Sequence, residues 1–85
     1  MGVSVSTVTV QDTDGFKLVL VGAGVVQVQG EAMYITLGTT PPSTITGAFI
    51  KVNGDEVSNS DATINAYAKV YDGQGTGMLA VWKVV

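Results

Sequence analysis

The stretch KLVLVGAGVVQVQG, residues 17–30, decides how the chain is read. An apolar run into Gly22-Ala23-Gly24 is how a dinucleotide-binding strand and its phosphate loop begin. That chemistry needs a tight glycine turn, a third glycine for close packing, and a helix whose N-terminus faces the pyrophosphate. Only the turn is present. After Gly24 come Val25, Val26, Gln27, Val28 and Gln29, whose β-branching and alternation favour a strand. No acidic residue follows in the context of a parallel partner strand, as a ribose would require. The stretch therefore reads as a β-hairpin, residues 16–21 and 25–29, turning at Gly22-Ala23-Gly24.

Outward from that hairpin, the remaining text is also strands and turns. Val3 and Val5 alternate with Ser4 and Ser6, and then the phase slips so that Val8 and Val10 alternate with Thr7 and Thr9. A slip of this kind predicts a bulge or bend. Residues 12–15, DTDG, form a turn. In residues 32–37, Met33, Ile35 and Leu37 share one face opposite Tyr34 and Thr36. Residues 38–47, GTTPPSTITG, hold two prolines that cannot donate to a ladder, and read as a surface loop. A short strand over 48–52 closes at Asn53-Gly54, the dipeptide of a type I′ hairpin turn.

In residues 62–70, Ala62, Ile64, Ala66, Ala68 and Val70 point one way and Thr63, Asn65, Tyr67 and Lys69 the other. The small inward side chains call for something large above them, for which Trp82, Phe16 and Phe49 are candidates. Residues 72–77, from Asp72, form a glycine-rich turn, and residues 78–85 a last strand. About seven short strands with turn chemistry between them predict an all-β chain. The expected architecture is a single antiparallel β-sandwich over residues 1–85, jelly-roll or immunoglobulin-like.

Composition bounds the function. The chain has 85 residues, no Cys and no His, so neither disulfides nor a zinc site can support so small a core. Association with copies of itself or with a larger assembly is the remaining common support. Four Lys, no Arg and seven acidic residues give a net charge of -3, which disfavours nucleic acid as a partner. Charged residues make up 13% of the chain against 46% apolar, little for a monomer standing alone in water. No apolar run approaches the roughly 20 residues needed to span a bilayer, and no leader pattern opens the chain. Met1-Gly2 with Ser6 matches the myristoylation pattern only as chance would. No membrane partner is expected, and synthesis in the cytoplasm is.

Without His or Cys, catalysis would rest on carboxylates, Lys, Tyr or Ser. Asp12 and Asp14 resemble the start of a calcium loop, but its other ligands are missing and a turn explains them. Asp55, Glu56 and Asp61 flank VSNS and read first as solvated turn residues; Asp55 with Asp61 as a hydrolase pair is the weaker alternative. Residues 73–77, GQGTG, could cradle an anion, yet loop geometry accounts for the glycines. Tyr34, Tyr67, Tyr71 and Trp82 could form a stacking platform for sugar. Neither a cofactor nor a metal is expected.

The pieces VQG (28–30), MYI (33–35), GTTPPS (38–43), GAFIKVNGDE (47–56), INAYA (64–68) and GTGMLAV (75–81) resemble, in their order, small all-β virion proteins of tailed bacteriophages. The resemblance covers about two thirds of the chain and carries no catalytic residue. It implies a non-enzymatic structural role in the virion: a capsid decoration, cement or head-fibre subunit, or a small component near the tail. The major capsid protein or another virion protein would be the partner, and a homo-oligomer, with a trimer favoured, the assembled form. The apolar first and last strands are the expected contact elements, through Val3, Val5, Val8, Val10, Val81, Trp82, Val84 and Val85. A carbohydrate-binding module using Tyr67, Tyr71 or Trp82 is the alternative.

Overall fold

The structure is a computed structural model and describes residues 2–71 and 73–84. It is all-β: eight strands in two antiparallel four-stranded sheets facing each other across one apolar core. The strands are β1 (Val3–Gln11), β2 (Lys17–Val21), β3 (Gly24–Val28), β4 (Met33–Gly38), β5 (Phe49–Lys51), β6 (Glu56–Asn59), β7 (Asn65–Val70) and β8 (Thr76–Val84). The first sheet runs β1-β8-β3-β6 and the second β2-β7-β4-β5. In every case the first strand of the chain pairs with the last, the second with the next to last, and so inward to β4 with β5. This is one long hairpin rolled up into a jelly roll, which replaces the immunoglobulin-like option.

That topology corrects the reading of residues 17–30. β2 bonds to β7 in the second sheet and β3 to β6 and β8 in the first, so the stretch is an arch between sheets. Both strands are apolar because each faces the core from its own side: Leu20 is 2% exposed, and Val26 and Val28 are fully buried. Turn text between two apolar runs cannot tell a hairpin from an arch. Only the ladder partners differ, and here they lie far along the chain.

The Asn53-Gly54 turn forms, closed by Asp55 N–H to Val52 C=O at 2.9 Å. Only Gly54 has positive φ (91°), whereas type I′ needs it at Asn53 as well. The turn is thus of type II character and carries the chain from β5 to β6, from one sheet to the other. β6 is the eighth strand, missed among the polar residues after Asp55; its Val57 and Asn59 face inward while Glu56 and Ser58 face out.

The core is aliphatic. Val10, Val26, Val28, Leu79 and Val81 of the first sheet pack over Leu20, Met33, Ile35, Ala66, Ala68 and Val70 of the second. The small inward residues of β7 are therefore covered by valines and leucine and not by an aromatic ring. Phe49 is 53% exposed, and Phe16 and Trp82 are half-buried. Residues 39–48 are irregular, as the prolines dictate, and residues 12–14 form a single 3-10 turn ahead of Gly15. The strand expected over 62–70 starts later, at Asn65, with Ala62 and Thr63 in an exposed turn. No helix of the described residues is long and apolar enough to cross a membrane.

Candidate functional site: the outer face of the first sheet

β1 shows how the phase slip in VSVSTVTV resolves. Its register against β8 is unbroken from Val3↔Val84 to Gln11↔Thr76, so the expected bulge is absent. With strict alternation kept, Val8 and Val10 point into the sandwich, whereas Val3 and Val5 point out. The slip marks where the apolar residues change faces. Val10 is fully buried and Val8 half-buried, but Val3 and Val5 are 58% and 62% exposed.

The same parity sorts β8. Leu79 and Val81 enter the core, while Met78, Ala80, Trp82 and Val84 lie on the outer face. Trp82 stands directly between Val5 on β1 and Val25 on β3. Its flanks are covered by these valines, which leaves the ring half-buried. Val84, beside Val3, is 44% exposed and Met78 43%. At the outward positions of β1, β8 and β3 no residue carries a charge; the first carboxylate on this face is Glu56, on β6. Exposed apolar surface gathered in one place makes this face the candidate contact region.

Of the residues expected at an interface, Val3, Val5, Trp82 and Val84 are thus brought together on one face. Val10 and Val81 are committed to the core, Val8 is half inside it, and Val85 lies outside the described residues, as do Met1 and Asp72. Val25, Met78 and Ala80 belong to the same face and were missed. Met78 and Ala80 share the parity of Trp82 and Val84 within β8, whereas Val25 is placed by the register between β8 and β3, which no single strand contains.

On the inner side, Ser4 and Ser6 line a cleft of about 290 Å³ with Leu18, Leu20, Val21 and Lys83 at the mouth of the sandwich. Lys83 Nζ donates to the Val21 carbonyl at 2.5 Å, so this ammonium is spent on fastening the arch.

The four rings considered for sugar do not form a platform. Trp82 is on the first sheet, and the three tyrosines are on or next to the second. Tyr34 and Tyr67 are 5% and 4% exposed, and Tyr34 stacks on Tyr71 at 5.1 Å between centroids with the planes 29° apart. The carboxylates are also dispersed. Asp55 and Asp61 sit beyond opposite ends of β6 and each serves its own turn: Asp55 accepts from Val52 N–H at 3.0 Å, and Asp61 from Thr63 N–H and Oγ1 at 2.8 and 2.7 Å. The Thr63 hydroxyl, and then its N–H, hold the Asp61 carboxyl below its ordinary value. Asp14 accepts from Gln11 N–H at 2.8 Å, closing the turn after β1. Among the described residues, no three His, Cys, Asp or Glu side chains converge as metal ligands would.

Comparison with family models, with curated proteins and with solved structures finds no match to this chain.

Proposed function

We propose that the chain is a non-enzymatic structural protein of a tailed-bacteriophage virion, a capsid decoration, cement or head-fibre subunit that associates with copies of itself and seats on the shell. The observation that carries this reading is the uncharged outer face of β1 and β8, where Val3, Val5, Met78 and Val84 stand exposed around Trp82. In water, apolar area costs about 25 cal/mol per Å² relative to burial, and a partner surface removes that cost. The resemblance of its turn and strand motifs, in their order, to small virion proteins supports the major capsid protein or another virion protein as the partner. Jelly rolls serve as shell components and as lectins alike, so the fold by itself does not choose. The carbohydrate reading has less to stand on, because it needs two coplanar, exposed rings, and Tyr34 and Tyr67 are both covered.

Mass spectrometry of purified virions from the phage that encodes the chain tests this. The protein should be present at a copy number in fixed ratio to the major capsid protein, and Val3→Lys with Val84→Lys should leave the fold intact while releasing it from heads. Absence from the particle ends the proposal.

A further inference from the structure

We infer that the free edge of β1 pairs with β1 of a second copy of this chain, antiparallel about a two-fold axis at Val5, joining two first sheets into one. The inference rests on the reading of β1 as a contact element and names what meets it first. The expected trimer is the competing assembly that light scattering separates from this two-fold.

The direction of the backbone groups on β1 follows from hydrogen bonds around β8. A central strand sends alternate residues to opposite neighbours. Val84 N–H donates to Ala23 C=O at 3.1 Å, and Met78 C=O accepts from Gln29 N–H at 2.9 Å. Even-numbered residues of β8 therefore serve the β3 side, and odd-numbered ones serve β1. Given the register Ser4↔Lys83 and Ser6↔Val81, the even residues of β1 bond to β8; Asp12 N–H to Gly75 C=O at 3.0 Å continues that phase. Val3, Val5, Thr7 and Thr9 thus direct N–H and C=O to the edge. Lys17 agrees with the assignment, since its Nζ reaches the Thr9 carbonyl at 3.0 Å.

Edge strands are normally guarded by charge, proline, bulges or brevity. The other three edges are: β2 carries Lys17 and a register shift between Leu18 and Leu20, β5 has three residues and Lys51, and β6 has four residues and Glu56. β1 alone is long, nine residues of VSVSTVTVQ without charge, proline or bulge. Its single guard, Lys17, stands at Thr9 and leaves residues 3–7 open.

An axis at Val5 uses that open run and nothing more. Val5 then exchanges both bonds with the partner's Val5, and Val3 with the partner's Thr7, so every outward group from Val3 to Thr7 is satisfied while Lys17 keeps Thr9. An axis at Thr7 would need the Thr9 carbonyl and displace Lys17. On the outer face the pairing aligns Val25, Trp82 and Val5 with the partner subunit's Val5 and its row, a continuous apolar band. On the inner face Ser4 comes beside the partner's Ser6, a hydroxyl pair that suits cross-strand positions. No like charges meet. Five paired residues span about 17 Å, short of a standard interface, so the dimer is reversible and grows with concentration.

Light scattering on the full chain after size exclusion, at rising concentration into the hundreds of micromolar, tests the inference. The mass should climb from 8.7 kDa toward twice that value. Val5→Pro removes one outward N–H and no ladder bond to β8, so it should remain monomeric with an unchanged far-UV spectrum; Val5→Lys, at an exposed position, sets two ammonium groups against each other and should do the same. Amide exchange at Val3, Val5 and Thr7 should slow with concentration in the parent chain alone. A parent chain that stays monomeric, a trimer, or a dimer that persists in both variants would overturn the pairing. A dimer formed by a chain absent from virions upholds the pairing and removes only the shell role, whereas a monomer found in virions removes only the pairing.

Discussion

The side-chain amide of Asn59, on β6, donates to the carbonyl of Gly22 in the arch between β2 and β3 at 2.8 Å, and is buried in doing so. The same NH₂ serves the carbonyls of Asp61 and Ile64 at 3.0 and 2.9 Å, while its Oδ1 accepts from Asp61 N–H at 3.1 Å. One side chain thereby holds together the arch, the end of β6 and the start of β7. Buried polar groups left without partners cost about 1 to 3 kcal/mol each. Asn59→Ala should therefore destabilise the fold by about 3 kcal/mol in urea denaturation, and Asn59→Asp, which cannot donate, by a similar amount near neutral pH. A loss under about 1 kcal/mol for both would show that water replaces the amide.

Gly24 explains why the arch has glycine at its second corner. A Cβ there would lie 2.2 Å from the Trp82 carbonyl and 3.1 Å from Leu20 Cδ1. The carbonyl is backbone in a central strand and cannot retreat without disturbing the ladder. Gly24→Ala should cost at least about 3 kcal/mol, whereas Gly75→Ala, with nothing within 4 Å and no positive φ, should stay within about 0.5 kcal/mol of the parent. Equal thermal midpoints for the two variants would contradict the packing at the arch.

The contrast between these two glycines shows what was legible. Alternation in residues 33–37 and in residues 66–70 reports the core directly, because burial on one face imposes a period of two. Partner choice is another matter: KLVLV and GVVQV look like neighbours, yet they bond to β7 and to β8. The ladder is made of backbone groups that every residue carries, so side chains say which face is buried and not who lies alongside. The contact surface suffered from the same blindness. Val8, Val10 and Val81 resemble Val3, Val5 and Val84 in type, and only the unbroken register of β1 on β8 separates core from surface. β6 escaped notice because three of its four residues are polar, its inward Asn59 among them.

Asp61 supplies a pH-dependent prediction. Its carboxyl is exposed and held below the ordinary value of 3.8 first by the Thr63 hydroxyl and then by the Thr63 N–H. A lowered folded-state pKa favours the fold above the unfolded value and ceases to do so as pH falls through the folded one. The contribution is therefore present from about pH 4 upward and fades below it. Carboxyl-carbon NMR titration should find Asp61 below 3.8, and Thr63→Ala should move it up toward that value while leaving part of the shift, since the N–H remains. An unmoved titration in that variant would break the assignment.

Trp82 and Leu79 sit on the same strand three residues apart, on opposite faces, and this makes them a matched test of which side is core. Leu79 is fully buried among Val10, Val26, Ala68 and their neighbours, so Leu79→Ala should cost about 2 to 5 kcal/mol, the transfer loss plus a cavity that this aliphatic packing cannot close. Trp82 is larger but half-exposed, flanked by Val5 and Val25, and removing it opens no cavity. Trp82→Ala should cost the monomer less than Leu79→Ala, about 1 to 2 kcal/mol, in denaturation at low micromolar concentration. Its own fluorescence supplies a second reading. The emission maximum should lie between the values for buried and exposed indole at low concentration, and move to shorter wavelength whenever a partner covers the outer face. A fully blue-shifted maximum in dilute monomer, together with a Trp82→Ala penalty above that of Leu79→Ala, would place the ring inside the sandwich and reverse the two faces of β8.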